Sequence, residues 1–223
     1  MRMPSACARR PRRRWSDPFR ALISALGKRA FDLLLAGFGL VLLSPLLLVI
    51  AVAIRLDSPG PVFYRQVRVG RHGVPFRIHK FRTMRHDPLH GGPQITVGAD
   101  ARITRVGAFQ RRSKLDELPQ LVDVLLGAMS LVGPRPEVPR YVALYPAELR
   151  KVVLSVRPGL TDLASIEFRD EAALLAHARD AEREYVEVVM PRKLALAARY
   201  VRSASLALDV TILWRTLRLL AGR

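Results

Sequence analysis

At 223 residues the chain is long enough for one domain with its own core and too short for two large ones. Lys and Arg number 37 against 19 Asp and Glu, a formal charge of +18, so the expected partners are polyanionic: nucleic acid, an anionic membrane surface or phosphorylated substrates. The single cysteine, Cys7, excludes a disulfide framework and a thiolate metal site, which fits a reducing compartment, and His72, His79, His86, His90 and His177 lack the spacing of an imidazole zinc site.

Residues 1–27 contain "RRPRRRW", small and turn-forming residues and little apolar periodicity, and read as a basic mobile arm suited to anionic headgroups. From Leu33 to Ile54 the chain carries no charge, which is long enough for a helix to cross about 30 Å of hydrocarbon. The "AVA" at 51–53 imitates a signal-peptidase site, but the run is too long and starts too late for an ordinary signal peptide, so it is kept in the mature chain. Lys28 and Arg29 precede the run and Arg55 follows it, and a spanning helix would place one basic flank outside. Ser44 and Pro45 sit mid-run, where proline removes a backbone hydrogen bond and bends a helix. Residues 28–57 therefore read either as helix, break, helix with both ends on one face, or as a kinked spanning helix.

Residues 58–223 form the remaining domain. "SPGPVFYRQVRVG", the turn "RHG" and "VPFRIHKFRTM" outline a β hairpin rich in aromatic and β-branched residues, with no acid between Asp57 and Asp87. "HDPLHGGPQITVGAD" is a Gly- and Pro-rich surface loop placed to fold over a site. Helical patterns follow near 116–129, 171–189 and 191–219, the last amphipathic and suited to the core or the membrane interface.

Within "RRSKLDELPQL", Asp116 and Glu117 precede an apolar stripe of Leu118, Leu121, Val122 and Leu125, and Pro119 is best tolerated in a first turn. This places a helix start at the acid pair, with Asp116 near the N-cap, where free amides and the helix dipole favour an ionised carboxylate. Alone, such a pair is an ordinary acidic cap. A helix start is also a phosphate site, and Arg135 in "GPRP" and Arg157 in "RPG" are arginines carried on stiff turns. Two adjacent carboxylates can divide phosphoryl transfer between them, one attacking phosphorus and one holding a hard divalent cation.

Taken in order, "KRAFDLLLAGFGLVLLSPLLLVIAVAIRLDSPGPVFYRQVRVGRHGVPFRIHKFRTM", "SKLDELPQLVDVLLGAMSLVGPRPEVPRY" and "VRPGLTDLAS" resemble the bacterial sugar transferases known as monotopic phosphoglycosyl transferases, across about residues 28–223. The resemblance implies an α+β, mainly helical monotopic membrane protein: a re-entrant helix broken at Ser44–Pro45, a small β hairpin and amphipathic interface helices. It implies transfer of a phosphosugar from a nucleotide diphosphate sugar, usually a UDP-sugar, to a polyprenyl phosphate on the cytoplasmic face of the inner membrane, beginning glycan assembly. By the same likeness Asp116 is the nucleophile that forms a covalent phosphosugar intermediate and Glu117 a Mg²⁺ ligand. Arg135 would meet a phosphate, Lys80, Arg82 and Arg112 are further candidates for donor or acceptor phosphates, and Arg157 and Gly159 either shape the fold or touch substrate. Long relatives carry extra membrane helices, so the likeness is to the minimal catalytic type, with self-association as a homo-oligomer left open. Many relatives have glycine where this chain has Asp162, a departure that bears on the loop or the sugar. The rival readings are a membrane-anchored nucleic-acid binder, for which Trp15 and Phe19 are the arm's sole stacking aromatics, and an inactive partner in an envelope assembly.

Overall fold

The computed structural model describes residues 18–85 and 100–222. Residues 1–17 of the expected arm and nearly all of the Gly- and Pro-rich loop lie outside the described residues. The elements in order are α1 (Pro18–Asp57), β1 (Phe63–Val69), β2 (Pro75–Phe81), α2 (Arg105–Ser113), α3 (Gln120–Leu125), β3 (Ser130–Val132), α4 (Pro139–Val142), α5 (Ala147–Val153), β4 (Gly159–Thr161), α6 (Leu163–Glu167), α7 (Glu171–Ala176), α8 (Ala181–Glu184), α9 (Met190–Ser203) and α10 (Leu206–Ala221). The chain is mainly helical with one hairpin, as the sequence leads one to expect; the short parallel pair β3–β4 is an addition.

Helix α1 begins at Pro18, so residues 18–27 belong to it and not to an arm. It is also continuous through Ser44 and Pro45, where the sequence suggests an interruption. The reason is local. Pro45 has no N–H to offer the carbonyl of Val41 one turn back, and the Ser44 hydroxyl donates to that same oxygen at 2.8 Å. The Ser-Pro pair thus carries its own repair, and no break in the helix is needed to satisfy the backbone.

One stripe of α1 faces the rest of the protein along most of its length. Asp32, Ala36, Ile50 and Ile54 are buried, and Leu40, Leu43 and Leu47 pack against the same body at helical spacing. The opposite face exposes Leu34, Phe38, Val41, Leu42, Leu48 and Val49. Both flanks of the apolar run are tied down. At the first, Lys28 donates to Asp209 (2.7 Å) and to the Val132 carbonyl (3.1 Å), while Arg29 donates to the carbonyls of Val124 and Leu125. At the second, Arg82 donates to the carbonyls of Ile54, Ser58 and Pro59, and Asp57 accepts from Val106 N–H.

The main core joins α1, α3, β3, α9 and α10 through Ala36, Leu121, Val124, Leu131, Tyr200 and Ile212. In the hairpin β1 pairs antiparallel with β2, Phe63 opposite Phe81 and Val69 opposite Pro75. Its turn needs left-handed backbone at His72 (φ 59°) and Gly73 (φ +82°), a geometry glycine adopts without strain. The long C-terminal helical pattern divides at Ala204, because the Ser205 hydroxyl accepts from Leu208 N–H and caps a new helix, α10.

Candidate active site

Helix α2 ends at Lys114, which adopts the left-handed conformation (φ 59°, ψ 17°) uncommon for a side chain with a Cβ and turns the chain into a single 3-10 turn, Leu115–Glu117. The acid pair therefore lies on this turn, ahead of α3, and neither carboxylate caps that helix. Sequence reasoning placed the helix start at Asp116 and expected the dipole to favour its charge; the structure corrects both points. Pro119 is the reason: it takes the boundary position, and α3 proper starts at Gln120.

Two cations converge on the pair from distant segments. Lys80 stands on β2, which is held against α3 by the buried Asp123: one carboxylate oxygen accepts from His79 N–H at 2.8 Å and the other lies 2.7 Å from His79 Nδ1. So placed, Lys80 Nζ donates to Glu117 Oε1 at 2.8 Å and stands 4.0 Å from Asp116 Oδ2. Arg135 arrives from the loop after β3. Its guanidinium grips Glu117 with both terminal nitrogens, Nη1 to Oε2 at 3.1 Å and Nη2 to Oε1.

The loop carrying Arg135 is clamped to β4. Gly133 N–H donates to Thr161 O at 3.1 Å and Gly159 N–H to Pro134 O at 2.9 Å. The two glycines touch: a Cβ on Gly159 would lie 2.1 Å from Gly133 N, which no side chain could accept. Asp162 completes the clamp. Fully buried, it accepts from Ser165 N–H at 2.7 Å as the cap of α6 and from Arg135 N–H at 3.3 Å. The Asp162 carboxylate is thus inside the protein, holding the backbone of Arg135. Asp162→Ala is expected to cost about 1 kcal/mol of stability through the lost cap, and to lower kcat by loosening Arg135. Asp162→Asn keeps one acceptor oxygen, enough for the Ser165 cap but not for the bond from Arg135 N–H as well, so it should restore stability more than kcat; thermal melts with steady-state kinetics would measure the pair.

The surroundings split the two acids. Burial pushes the Asp116 carboxyl up, and the Lys80 ammonium and the other nearby cations do not fully offset it. Burial also acts on Glu117, but Arg135 and Lys80 outweigh it and hold that carboxyl well below its usual range. Glu117 in turn raises the affinity of Arg135 for its proton. The bonding is as uneven as the charge. Glu117 accepts three hydrogen bonds, whereas Asp116 accepts none among the described residues and its Oδ1 is buried without a partner. An adjacent pair driven apart in this way can divide two chemical roles.

The other predicted cations are not drawn to the pair. Arg82 is buried and its guanidinium is consumed by oxygens at the end of α1, including Ser58 Oγ at 2.9 Å, so it anchors α1 to the chain just past β2. Arg112 sits on an exposed face of α2 and bonds neither acid. Arg157 donates through Nε to Gly127 O at 2.8 Å and fixes the turn after α3. His79, Asp123 and Asp162 as supports of Lys80 and Arg135 were not foreseen as such, since their partners lie far along the chain.

Among the described residues no group of three His, Cys, Asp or Glu side chains could hold a metal. A Mg²⁺ ion needs fewer, because it retains water and shares substrate phosphates. Glu117 Oε1 receives both Lys80 and Arg135, but Oε2 receives Arg135 alone and keeps one lone pair beside the unpartnered Asp116, so the donor set fits such an ion.

Residues 23–223 match the family model described as bacterial sugar transferase. The chain is 39% identical over 198 residues to a UDP-N-acetylgalactosamine-undecaprenyl-phosphate N-acetylgalactosaminephosphotransferase of Aeromonas hydrophila, covering 88% of this chain but 44% of that protein. It is 40% identical over 197 residues to a UDP-glucose:undecaprenyl-phosphate glucose-1-phosphate transferase of Caulobacter vibrioides, covering 86% and 68%. It is 38% identical over 198 residues to the exopolysaccharide production protein PSS of Rhizobium leguminosarum bv. phaseoli, covering 85% and 92%.

Proposed function

We propose, because the chain belongs to the bacterial sugar transferase family, that it moves a phosphosugar from a UDP-sugar to a polyprenyl phosphate at the cytoplasmic face of the inner membrane. The observation that carries this is the split acid pair: Glu117 ionised and locked by Arg135 and Lys80, Asp116 beside it free of hydrogen bonds among the described residues. A carboxylate whose lone pairs are uncommitted is a competent nucleophile without a general base. In the first step the Asp116 carboxylate attacks the sugar-bearing phosphorus. The new bond is Asp116 O–P, the bond broken is the pyrophosphate P–O, and its electron pair leaves with UMP. In the second step an oxygen of the polyprenyl phosphate attacks the same phosphorus, the Asp116 O–P bond breaks and the carboxylate is regenerated. Lys80 and Arg135 hold positive charge at the place where phosphate oxygens gather. Mg²⁺, held by Glu117 together with the donor phosphates, would supply neutralisation of the charge that develops on the leaving phosphate. Such chemistry begins a polysaccharide or other glycan on its lipid carrier.

The membrane arrangement follows from the packing of α1. A helix whose two flanks both bond to one globular body is not placed to set those flanks on opposite sides of a bilayer, which supports a monotopic placement over a spanning one. Helix α10 presents Leu206, Val210, Trp214 and Leu217 outward with Arg218 over the Trp214 ring, a face suited to the lipid interface, while Asp209 and Ile212 point inward. Epitope tags at the two ends of the chain are expected to be protected together in intact cells and to become reactive together on lysis. A tag before α1 that reacts from outside would replace the monotopic placement with a spanning one.

The activity is tested by incubating the purified protein with polyprenyl phosphate, Mg²⁺ and a panel of UDP-sugars. UMP is expected from at least one donor, and chelation of the metal should suppress it. No UMP from any donor with a folded protein would overturn the assignment.

A further inference from the structure

Helix α3 ends in a turn at Gly127, whose backbone is left-handed (φ +87°), and arginines from distant segments close on it. Arg29, on the first flank of α1, donates to the carbonyls of Val124 and Leu125 and packs so near that a Cβ on Gly127 would lie 3.4 Å from its Nη2. Arg157 donates through Nε to Gly127 O at 2.8 Å. Arg71, from the hairpin turn, is fixed through Nε to Ser155 O at 2.9 Å and is near enough for its charge to act on Arg157. We infer that this turn is a membrane contact in its own right: Leu126 enters the edge of the hydrocarbon, and the guanidiniums of Arg29, Arg71 and Arg157 receive the phosphate of an anionic phospholipid. Such a contact is independent of the transfer chemistry and requires only that α1 lie in the bilayer.

The cluster is charge without an answering charge. Every side-chain hydrogen bond that these three arginines make among the described residues goes to a backbone carbonyl. The acid whose charge reaches Arg157, Asp32, is buried and already accepts from Leu131 N–H at 3.1 Å, with the Lys28 ammonium 3.9 Å away. Burial, and then the charges of Arg29 and Arg71, lower the proton affinity of the Arg157 guanidinium. An anion placed among the three relieves that repulsion. The terminal nitrogens of Arg71 and Arg157, without partners among the described residues, are the donors it would meet.

Position supplies the identity of the anion. Arg29 stands just ahead of the uncharged run that starts at Leu33, at the depth where hydrocarbon gives way to headgroups. The turn it holds is apolar at its tip, with Leu125 exposed and Leu126 72% exposed. A soluble anion gains nothing from those leucines, whereas a phospholipid meets both features at once, acyl chain against leucine and phosphate against guanidinium. A net anionic headgroup fits better than a zwitterionic one, whose own ammonium would be pressed against the arginines. The acid pair lies directly ahead of α3, a helix of six residues, so a lipid held at one end of α3 sets the height of Asp116 over the bilayer at the other.

The test places one probe on the turn. Cys7→Ser removes the native thiol, and Leu126→Cys then carries a single environment-sensitive fluorophore. The full chain is placed in nanodiscs of phosphatidylcholine and phosphatidylglycerol in equal amounts, with one or the other brominated on its acyl chains. Both lipids are expected to quench the probe, brominated phosphatidylglycerol about threefold more strongly. Arg157→Gln should bring the two to within about 1.5-fold of each other. Arg157→Lys, which keeps the charge without the fork, should recover part of the difference. The contact is overturned by a probe that neither lipid quenches, by equal quenching in the native background, or by a preference that Arg157→Gln leaves unchanged. Should Arg157→Gln fail to fold, Arg71→Gln, which alters an exposed side chain, must lower the preference or the contact falls. Exchanging chloride for inorganic phosphate at constant ionic strength is expected to leave the preference intact; its collapse would assign the cluster to free phosphate and overturn the lipid. A probe at Leu34→Cys, on the outer face of α1, reports on the helix itself. If neither lipid quenches that probe, the membrane placement of α1 fails, a result separable from failure at the Gly127 turn alone.

Discussion

Asp116→Asn is expected to abolish turnover, with a loss of at least about a thousandfold in kcat, because an amide oxygen does not form the acyl phosphate that the first step requires. The change is nearly isosteric, so membrane association and fold should persist. The stability of this variant separates a nucleophile from a structural carboxylate. Burial raises the Asp116 pKa, so the folded protein binds its proton more tightly than the unfolded chain does. Folding stability from this group is then greatest at low pH and is lost as pH rises through the raised folded value. At neutral pH the native carboxylate is a cost, and Asp116→Asn should melt at or above the native temperature. For the same reason native kcat should climb as pH rises through the range in which Asp116 ionises, with a midpoint above that of an ordinary aspartate. A variant that keeps substantial activity, or one that melts far lower, would remove Asp116 from the nucleophile's role.

Arg135→Met is the second large effect, and it acts on activity and stability together. Removing the guanidinium strips Glu117 of two of its three hydrogen bonds and leaves a mostly buried carboxylate with Lys80 alone. Truncating one partner of such a pair costs about 2 kcal/mol, at the low end of the usual range because the Arg135 side chain is 33% exposed. Loss of a phosphate clamp should lower kcat about a hundredfold. The pH dependence runs opposite to that of Asp116. Burial raises the Glu117 carboxyl but Arg135 and Lys80 depress it further, so the stability it supplies is present above the carboxylate range and is lost as pH falls through its depressed value. The melting difference between native and Arg135→Met should therefore be widest near neutrality and should shrink on acidification. Arg135→Lys restores the charge but not the two-pronged grip, so it should recover more stability than activity.

The parts of this molecule legible in its sequence are those written locally. The apolar run, the hairpin with its alternating aromatic and β-branched residues, and the acid pair ahead of Pro119 each declare themselves within one continuous stretch of chain. Arg135 was legible because prolines on both sides of it advertise a fixed backbone. What stayed hidden depends on chain segments that meet only in three dimensions. Lys80 is on β2 and Arg82 lies just past its end, where the chain leaves the strand; the one reaches Glu117 and the other the end of α1, and no count of basic residues separates them. The β3–β4 pair has three residues a side, too few for periodicity, and is fixed by the contact of Gly133 with Gly159. The upward shift of Asp116 is hidden from the sequence because helix-start logic assumes exposed amides, whereas a 3-10 turn buried beneath its neighbours offers burial and no donors among the described residues.

The bond from Lys28 to Asp209 joins residues 181 positions apart, and the Tyr200 hydroxyl completes it by donating to the other Asp209 oxygen at 2.7 Å. Its consequence lies in biosynthesis. Helix α1 is made 181 residues ahead of the aspartate that answers its lysine, so during translation Lys28 waits for α10 while the inner stripe meets Phe81, Leu121 and Leu131 earlier. The closing contact of the fold thus comes from α10, and its loss would leave Lys28 with the Val132 carbonyl and a 3.9 Å approach to Asp32. Nascent chains arrested before Asp209 should accordingly resist carbonate extraction while their catalytic part remains open to protease.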